Sequence, residues 1–116
     1  MLKVAIEDDT YLVSLFHVKK INILYSDLIS SQLNKIVEVP GRQVIFNLAD
    51  IHFIDSDGFR ALLMANEIAR DNGASFKLCN LNKEVKELIE VTGLSDTLEV
   101  IPDIEVKEKI LMELDY

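Results

Sequence analysis

The sequence predicts one α/β domain over residues 1–116, with a mixed central sheet made of an N-terminal hairpin and later parallel strands, and about four helices packed on it. Three observations predict it. Leu2, Val4 and Ile6 alternate with Lys3, Ala5 and Glu7, and after the turn signal Asp8-Asp9 a run of β-formers resumes from Tyr11 to Val18; this is the pattern of a half-buried hairpin. Gln43-Val44-Ile45-Phe46-Asn47-Leu48 is nearly continuous in apolar residues, as a strand buried on both faces requires. Strand-like segments near 43, 75 and 97 alternate with helical ones, which implies right-handed crossovers and parallel pairing. A chain of 116 residues encloses one core.

In order along the chain, Ile23–Val39 reads as a helix with Leu24, Leu28 and Ile36 near its apolar face and Ser30, Ser31, Gln32 and Asn34 among its polar positions. Pro40-Gly41 stops it. Asp50 to Phe53 connects the buried strand to Ile54-Asp55-Ser56-Asp57-Gly58. From Gly58 to Asn72 a second helix turns Ala61, Leu62, Ala65, Ile68 and Ala69 toward the sheet, and Gly73 ends it. Ser75–Cys79 is a strand. Asn82 caps a third helix with Val85, Leu88 and Ile89 at i, i+3, i+4 spacing, ended by Gly93. Thr97–Ile101 is read as a last strand, and Pro102-Asp103 as the opening of a C-terminal helix with Ile110, Leu111 and Leu114 as contacts.

Composition narrows the function. A net charge of −8 disfavours nucleic acid and anionic membrane surfaces, both of which reward clustered Lys and Arg, and leaves basic protein surfaces open as partners. Cys79 is the sole cysteine, so no intramolecular disulfide or Cys/His metal cluster is expected, and its strand makes it a core residue. His17 and His52, the two histidines, fall in no nucleophile or metal arrangement, and four glycines form no phosphate loop. The expectation is a binding protein without a cofactor rather than an enzyme. The start runs quickly into Glu7-Asp8-Asp9, and the longest apolar stretch, Ala61 to Ala65, falls far short of a membrane span; a cytoplasmic location without membrane insertion is the default.

Ser56 draws attention because it stands where a strand gives way to a helix, a natural N-cap position near the positive end of the helix dipole. One reading is that it only caps the helix. The other is that its hydroxyl is modified: a phosphate adds about −1.5 to −2 charge, is received by free N–H groups, and crowds Asp55 and Asp57. Those two aspartates equally suit capping or partner recognition. Gly58 suits close backbone approach. Phe59 and Leu63 fall off the sheet-facing stripe, near Arg60, Glu67 and Arg70, where they would make an outer docking patch or be ordinary surface residues.

The stretch from Val44 to Phe59, a buried strand running into Asp55-Ser56-Asp57-Gly58, resembles the signature of STAS domains, the family of bacterial anti-sigma factor antagonists. Phe76–Asn82, followed by Val85, Leu88 and Val91-Thr92-Gly93-Leu94, resembles the family's next strand and helix, so the similarity spans about Gly41 to Val100. The resemblance implies a single STAS-like domain acting in transcription regulation by partner exchange. The unmodified protein would bind an anti-sigma factor, often a serine kinase, phosphorylation of Ser56 would weaken that complex, and a phosphatase would restore it. Asn22, Asp55, Asp57, Gly58, Phe59, Arg60 and Leu63 would form the partner surface of a monomer or weak dimer. This chain departs from the pattern at Asp57, where the family has a second serine, and at Arg60, where it has glycine. Lys19-Lys20-Ile21-Asn22 stands in place of a Gly-x-Leu-Asp loop, with Asn22 at the carboxylate's position. Such changes suit a divergent partner, or a constitutive binder without phosphorylation.

Two rival readings remain. A receiver-like phosphoacceptor domain would use Asp55 as the phosphorylated group and Asp8 with Asp9 to hold Mg²⁺. Against it stand the returning strand after Asp9 and Ile101-Pro102-Asp103 where a Lys-Pro is expected. Alternatively the domain is a non-phosphorylated subunit of a larger assembly, stressosome-like or transporter-associated.

Overall fold

The computed structural model describes residues 2–104 and the backbone of residues 112–114. Strands β1 (Leu2–Glu7) and β2 (Thr10–Leu15) form the expected antiparallel hairpin, with Leu2 opposite Leu15 and Glu7 opposite Thr10. The two-residue turn is made by Asp8 and Asp9, and Asp8 adopts φ +52°, a left-handed conformation that Asp tolerates better than most residues. Between β2 and helix α1 (Ser26–Val37) lies the two-residue strand β3 (Lys20–Ile21). Then follow β4 (Gln43–Asn47), the short β5 (Phe53–Ile54), α2 (Ser56–Asp71), β6 (Ser75–Cys79) and α3 (Lys83–Val91), with β7 (Met112–Leu114) last.

The main sheet has the order β6-β4-β2-β1-β7. β4 pairs parallel with both β2 and β6, while β1 pairs antiparallel with β2 and β7, so the sheet is mixed as the sequence predicts. One face is the core. Leu2, Val4, Val13, Leu15, Val44, Phe46, Phe76 and Leu78 alternate into it and meet Ile29, Leu33, Ile36 and Val37 of α1 and Leu62, Ala65 and Ala69 of α2. The period of 2 on strands and 3.6 on helices is what lets one apolar layer close. α2 ends as its Gly73 requires: Ala74 N–H donates to Ala69 O at 2.8 Å and Gly73 N–H to Arg70 O at 3.3 Å, with Gly73 at φ +73°, a Schellman stop.

Four expectations change. The first helix begins at Ser26 rather than Ile23, because residues 22–25 form a turn in which the amides of Tyr25 and Ser26 both donate to Asn22 O. That turn resets the phase: Leu24 is 78% and Leu28 43% exposed, and the buried stripe is Ile29, Leu33, Ile36 and Val37. Thr97–Ile101 is not a full strand. A 3-10 turn at Leu94–Asp96 precedes it, and it touches β6 through a single bridge, Leu78 to Val100. The C-terminal helix is also overturned where it can be judged, since Leu114 lies in β7, paired with Leu2; Ile110 and Leu111 lie outside the described residues. The described residues therefore hold three α-helices, not about four. Asn82 occupies the N-cap position of α3 but makes no cap bond; its amide instead donates to Ala49 O and Ile51 O, at 2.8 and 2.6 Å.

Candidate functional site

Parallel strands deliver their C-terminal ends to one edge of a sheet, and here the loops at that edge hold the 54–58 motif. The edge is built by backbone bonds. β3 and β5 pair in parallel, Lys20 with Phe53 and Ile21 with Ile54, forming a second small sheet. His52 N–H donates to Lys19 O at 2.7 Å and Asp55 N–H to Ile21 O at 3.0 Å. The loop before α1 and the loop before α2 are thus one structure. Asn80, the residue after β6, ties the same edge to the end of β4 by donating to Asn47 Oδ1 at 3.1 Å.

Asp55 is the residue that joins these pieces. It is the N-cap of α2: its Oδ1 accepts from Gly58 N–H at 2.8 Å, while its Oδ2 accepts from Ile23 N–H at 3.0 Å, across 32 residues of chain. A carboxylate can do both because its two oxygens accept independently. The cap role expected of Ser56 therefore belongs to Asp55, and Ser56 is the first residue of α2, exposed to solvent. The backbone amides of Ser56 and Asp57 make no hydrogen bond within the described residues. These are two of the orphan donors that open every helix.

Gly58 is buried and fixed by contact. A Cβ there would lie 2.6 Å from Ile21 O, 2.8 Å from Ile54 Cγ2 and 2.9 Å from Ile21 Cγ2. Only hydrogen lets α2 start this close to β3 and β5.

Phe59 and Leu63 do not form an outer patch. Phe59 is 7% exposed and belongs to the core, and Leu63 is half-buried against it. Phe59 is in the first turn of α2 and joins the same buried cluster as Leu62 and Ala65, although it lies off the sheet-facing stripe. A helical wheel drawn on α2 alone does not show what packs over that side from elsewhere in the chain. Exposed apolar residues at this edge are instead Ile23, at 67%, whose amide is bonded to Asp55, and its neighbour Leu24, at 78%. Their neighbour Asn22 spends its side chain locally, with Oδ1 accepting from Leu24 N–H at 3.0 Å. Asp57 and Arg60 face each other one turn apart at 3.5 Å, an exposed pair worth little to stability. They line a cleft of about 90 Å³ between α1 and α2, with Ser26, Ser30 and Met64. Sequence reasoning missed Ile23 and Leu24 because it placed both inside a helix; the signal was their position directly after Asn22, a residue that favours turns.

The receiver-like constellation is not assembled. Asp9 O accepts from Gln43 N–H at the start of β4, whereas Asp55 follows the opposite end of that strand. β4, five residues at about 3.3 Å each or roughly 16 Å long, runs between those two ends. No group of three potential metal ligands occurs among the described residues. Cys79 is buried as expected, and burial, followed by the nearby charge of Asp103, pushes its thiol up to about 11. No helix among the described residues is long and apolar enough to cross a membrane.

Fold and site together define a small α/β domain that displays an unengaged serine at the start of a helix, on an edge welded by a capping aspartate. The chain belongs to the STAS domain family, whose model matches residues 4–107. Three solved structures share the fold. An anti-sigma-factor antagonist (STAS) domain protein from Planctomyces limnophilus superposes with TM-score 0.77 at 17% identity, covering 88% of this chain and 89% of its own. An anti-sigma factor antagonist from Mycobacterium paratuberculosis gives 0.72 at 19%, covering 86% and 83%. The anti-sigma factor antagonist SpoIIAA of Bacillus, in its unphosphorylated form, gives 0.70 at 15%, covering 90% of each chain. No curated protein sequence matches the chain.

Proposed function

We propose that this chain is an antagonist-type regulator of transcription that docks a protein partner, an anti-sigma factor or serine kinase, through the surface around Ser56, and that phosphorylation of Ser56 releases the partner. The observation that carries the reading is that Ser56 is exposed at the first position of α2 and that the fold does not use it as a cap. SpoIIAA, solved in both unphosphorylated and phosphorylated forms, supplies the precedent for two states of one such domain. In this reading Asn22, Asp57 and Arg60 meet the partner, Ile23 and Leu24 supply apolar area, and Asp55 and Gly58 hold the edge in shape. Phe59 and Leu63 act from the core. The protein works by binding, in the cytoplasm, as a monomer or weak dimer, and a phosphatase resets it.

A phosphate on Ser56 would be received by the open amides of Ser56 and Asp57 and by the end of the α2 dipole, so the fold would tolerate it. The partner would not. A charge of about −2 beside Asp57 must be desolvated wherever a fitted apolar surface covers Ile23 and Leu24. Ser56→Ala is expected to bind the co-purified partner as well as or better than the parent and to accept no phosphate, whereas Ser56→Glu binds more weakly. Equal affinity of all three proteins, measured by calorimetry, overturns the switch.

A further inference from the structure

A second surface adjoins the motif and contains none of residues 54–58. Between β5 and α3 runs an open groove of about 410 Å³ lined by His52, Phe53, Glu84, Glu87, Leu88 and Val91. Its floor is apolar and unusually open: Phe53 is 48% and Val91 86% exposed, with half-buried Leu88 between them. Large apolar side chains gathered in one depression, rather than scattered, mark contact surfaces. On α3 the residues Glu84, Glu87, Leu88 and Val91 follow i, i+3, i+4, i+7, so the helix presents one continuous stripe that is acidic at its start and apolar at its end.

The acids choose the occupant. Neither Glu84 nor Glu87 makes an ion pair or a side-chain hydrogen bond among the described residues. Carboxylates held beside an apolar floor cost desolvation when a neutral or acidic surface covers them, and attract one that brings cations. The chain's net charge of −8 acts in the same sense at longer range and disfavours a second copy of itself. We propose that the groove between β5 and α3 receives a short amphipathic segment of a partner protein, with apolar residues on Phe53, Leu88 and Val91 and Lys or Arg beside Glu84 and Glu87. Because β5 leads directly into Ser56, such a segment gives a partner a foothold that is separate from the serine.

The test uses two synthetic helical peptides with the same apolar stripe, one flanked by lysines and one by glutamates, titrated into the ¹⁵N-labelled full chain. The lysine peptide is expected to give saturable amide shifts confined to residues 52–53 and α3. Glu84→Lys with Glu87→Lys, both solvent-exposed and remote from the core, is expected to weaken it about tenfold at low salt and to transfer preference to the glutamate peptide. Val91→Ser should weaken both peptides. The proposal is overturned if the parent chain binds both peptides equally, binds neither, or shifts elsewhere. Self-association of the parent that Val91→Ser abolishes would also overturn it, by assigning the groove to a second copy. Ser56→Glu provides the separation from the proposed switch, because it is expected to leave peptide affinity unchanged whether or not Ser56 controls the other surface.

Discussion

Replacing Asp55 by alanine tests whether one carboxylate joins the two loops. The substitution removes the acceptor of Gly58 N–H, at 2.8 Å, and the acceptor of Ile23 N–H, at 3.0 Å. Loss of an N-cap costs about 1 kcal/mol within a range of 0.5–2. The bond to Ile23 has a charged acceptor, worth about 1.5–3 kcal/mol when the donor is left dry. Ile23 is exposed, so water replaces much of it, and about 1 kcal/mol remains. The backbone bonds of residue 55, Asp55 N–H to Ile21 O and Phe59 N–H to Asp55 O, survive the change and add nothing to the loss. The expected total is about 2 kcal/mol, a fall in Tm of about 8 °C at this chain length. Asp55→Asn keeps one acceptor oxygen and should cost about half as much. Urea unfolding with an unchanged m-value is the assay, and amide exchange at Ile23 and Gly58 localises the effect. The reasoning is refuted if alanine costs less than about 0.5 kcal/mol, the noise of an ordinary surface change, or if asparagine and alanine cost the same.

Ser56→Ala should leave stability within about 0.5 kcal/mol of the parent, because the cap is elsewhere; a loss near 1 kcal/mol would return the cap to the serine. Gly58→Ala gains about 1 kcal/mol in helix propensity but drives a Cβ to 2.6 Å from the carbonyl of Ile21, a backbone atom fixed in β3. Overpacking of this kind costs about 1–3 kcal/mol, so the variant should be net destabilised in urea melts, and a stabilised variant would disprove the close approach. For Cys79 the raised thiol, at about 11 against an ordinary 9.0, means that the fold favours the protonated form. Stability owed to it is present below pH 9 and is lost as pH rises toward 11, by about 2–3 kcal/mol; the measurement is the difference between parent and Cys79→Ala unfolding across that range.

What could be read from the sequence was what depends on period. β1, β2, β4 and β6 carry alternating or continuous apolar runs, and α2 and α3 carry helical ones, so their kind and their parallel or antiparallel pairing followed. Where a local bond competes with the period, the reading failed. Leu24 and Leu28 fit an apolar face until the Asn22 turn delays the helix to Ser26. Thr97–Ile101 has strand composition but is held by two bonds to Leu78 rather than a ladder. Phe59 was misplaced because a wheel drawn on α2 alone cannot show what packs over the helix from elsewhere in the chain, and β3 and β5 are two-residue strands too short for a periodic signal. The residue positions of the motif were legible; their division of labour was not. Asp and Ser are both good caps, and choosing between adjacent candidates requires knowing where the Ile23 amide lies.

That division bears on what a phosphate could change. A serine that caps a helix has its hydroxyl oxygen committed to the backbone, and modifying it would trade a structural bond for a functional one. Here Asp55 takes the cap and simultaneously fixes Ile23, so the shape of the edge is set without Ser56. The cost of modification then falls on the surface and not on the fold. A domain arranged in this way can alternate between two charge states at nearly constant conformation, and discrimination is left to whatever covers Ile23 and Leu24. Asp57 shapes this further, because it keeps one negative charge beside the serine in both states, partly offset by Arg60 at 3.5 Å. Under the proposed switch a partner would already accommodate one carboxylate, and phosphorylation would be a rise in charge at an acidic site rather than its first appearance. The added charge would be the same size as at a site with a neutral residue there, but it would start from an acidic background, and Arg60, four residues or one helical turn beyond Ser56, would stand where it could offset part of it.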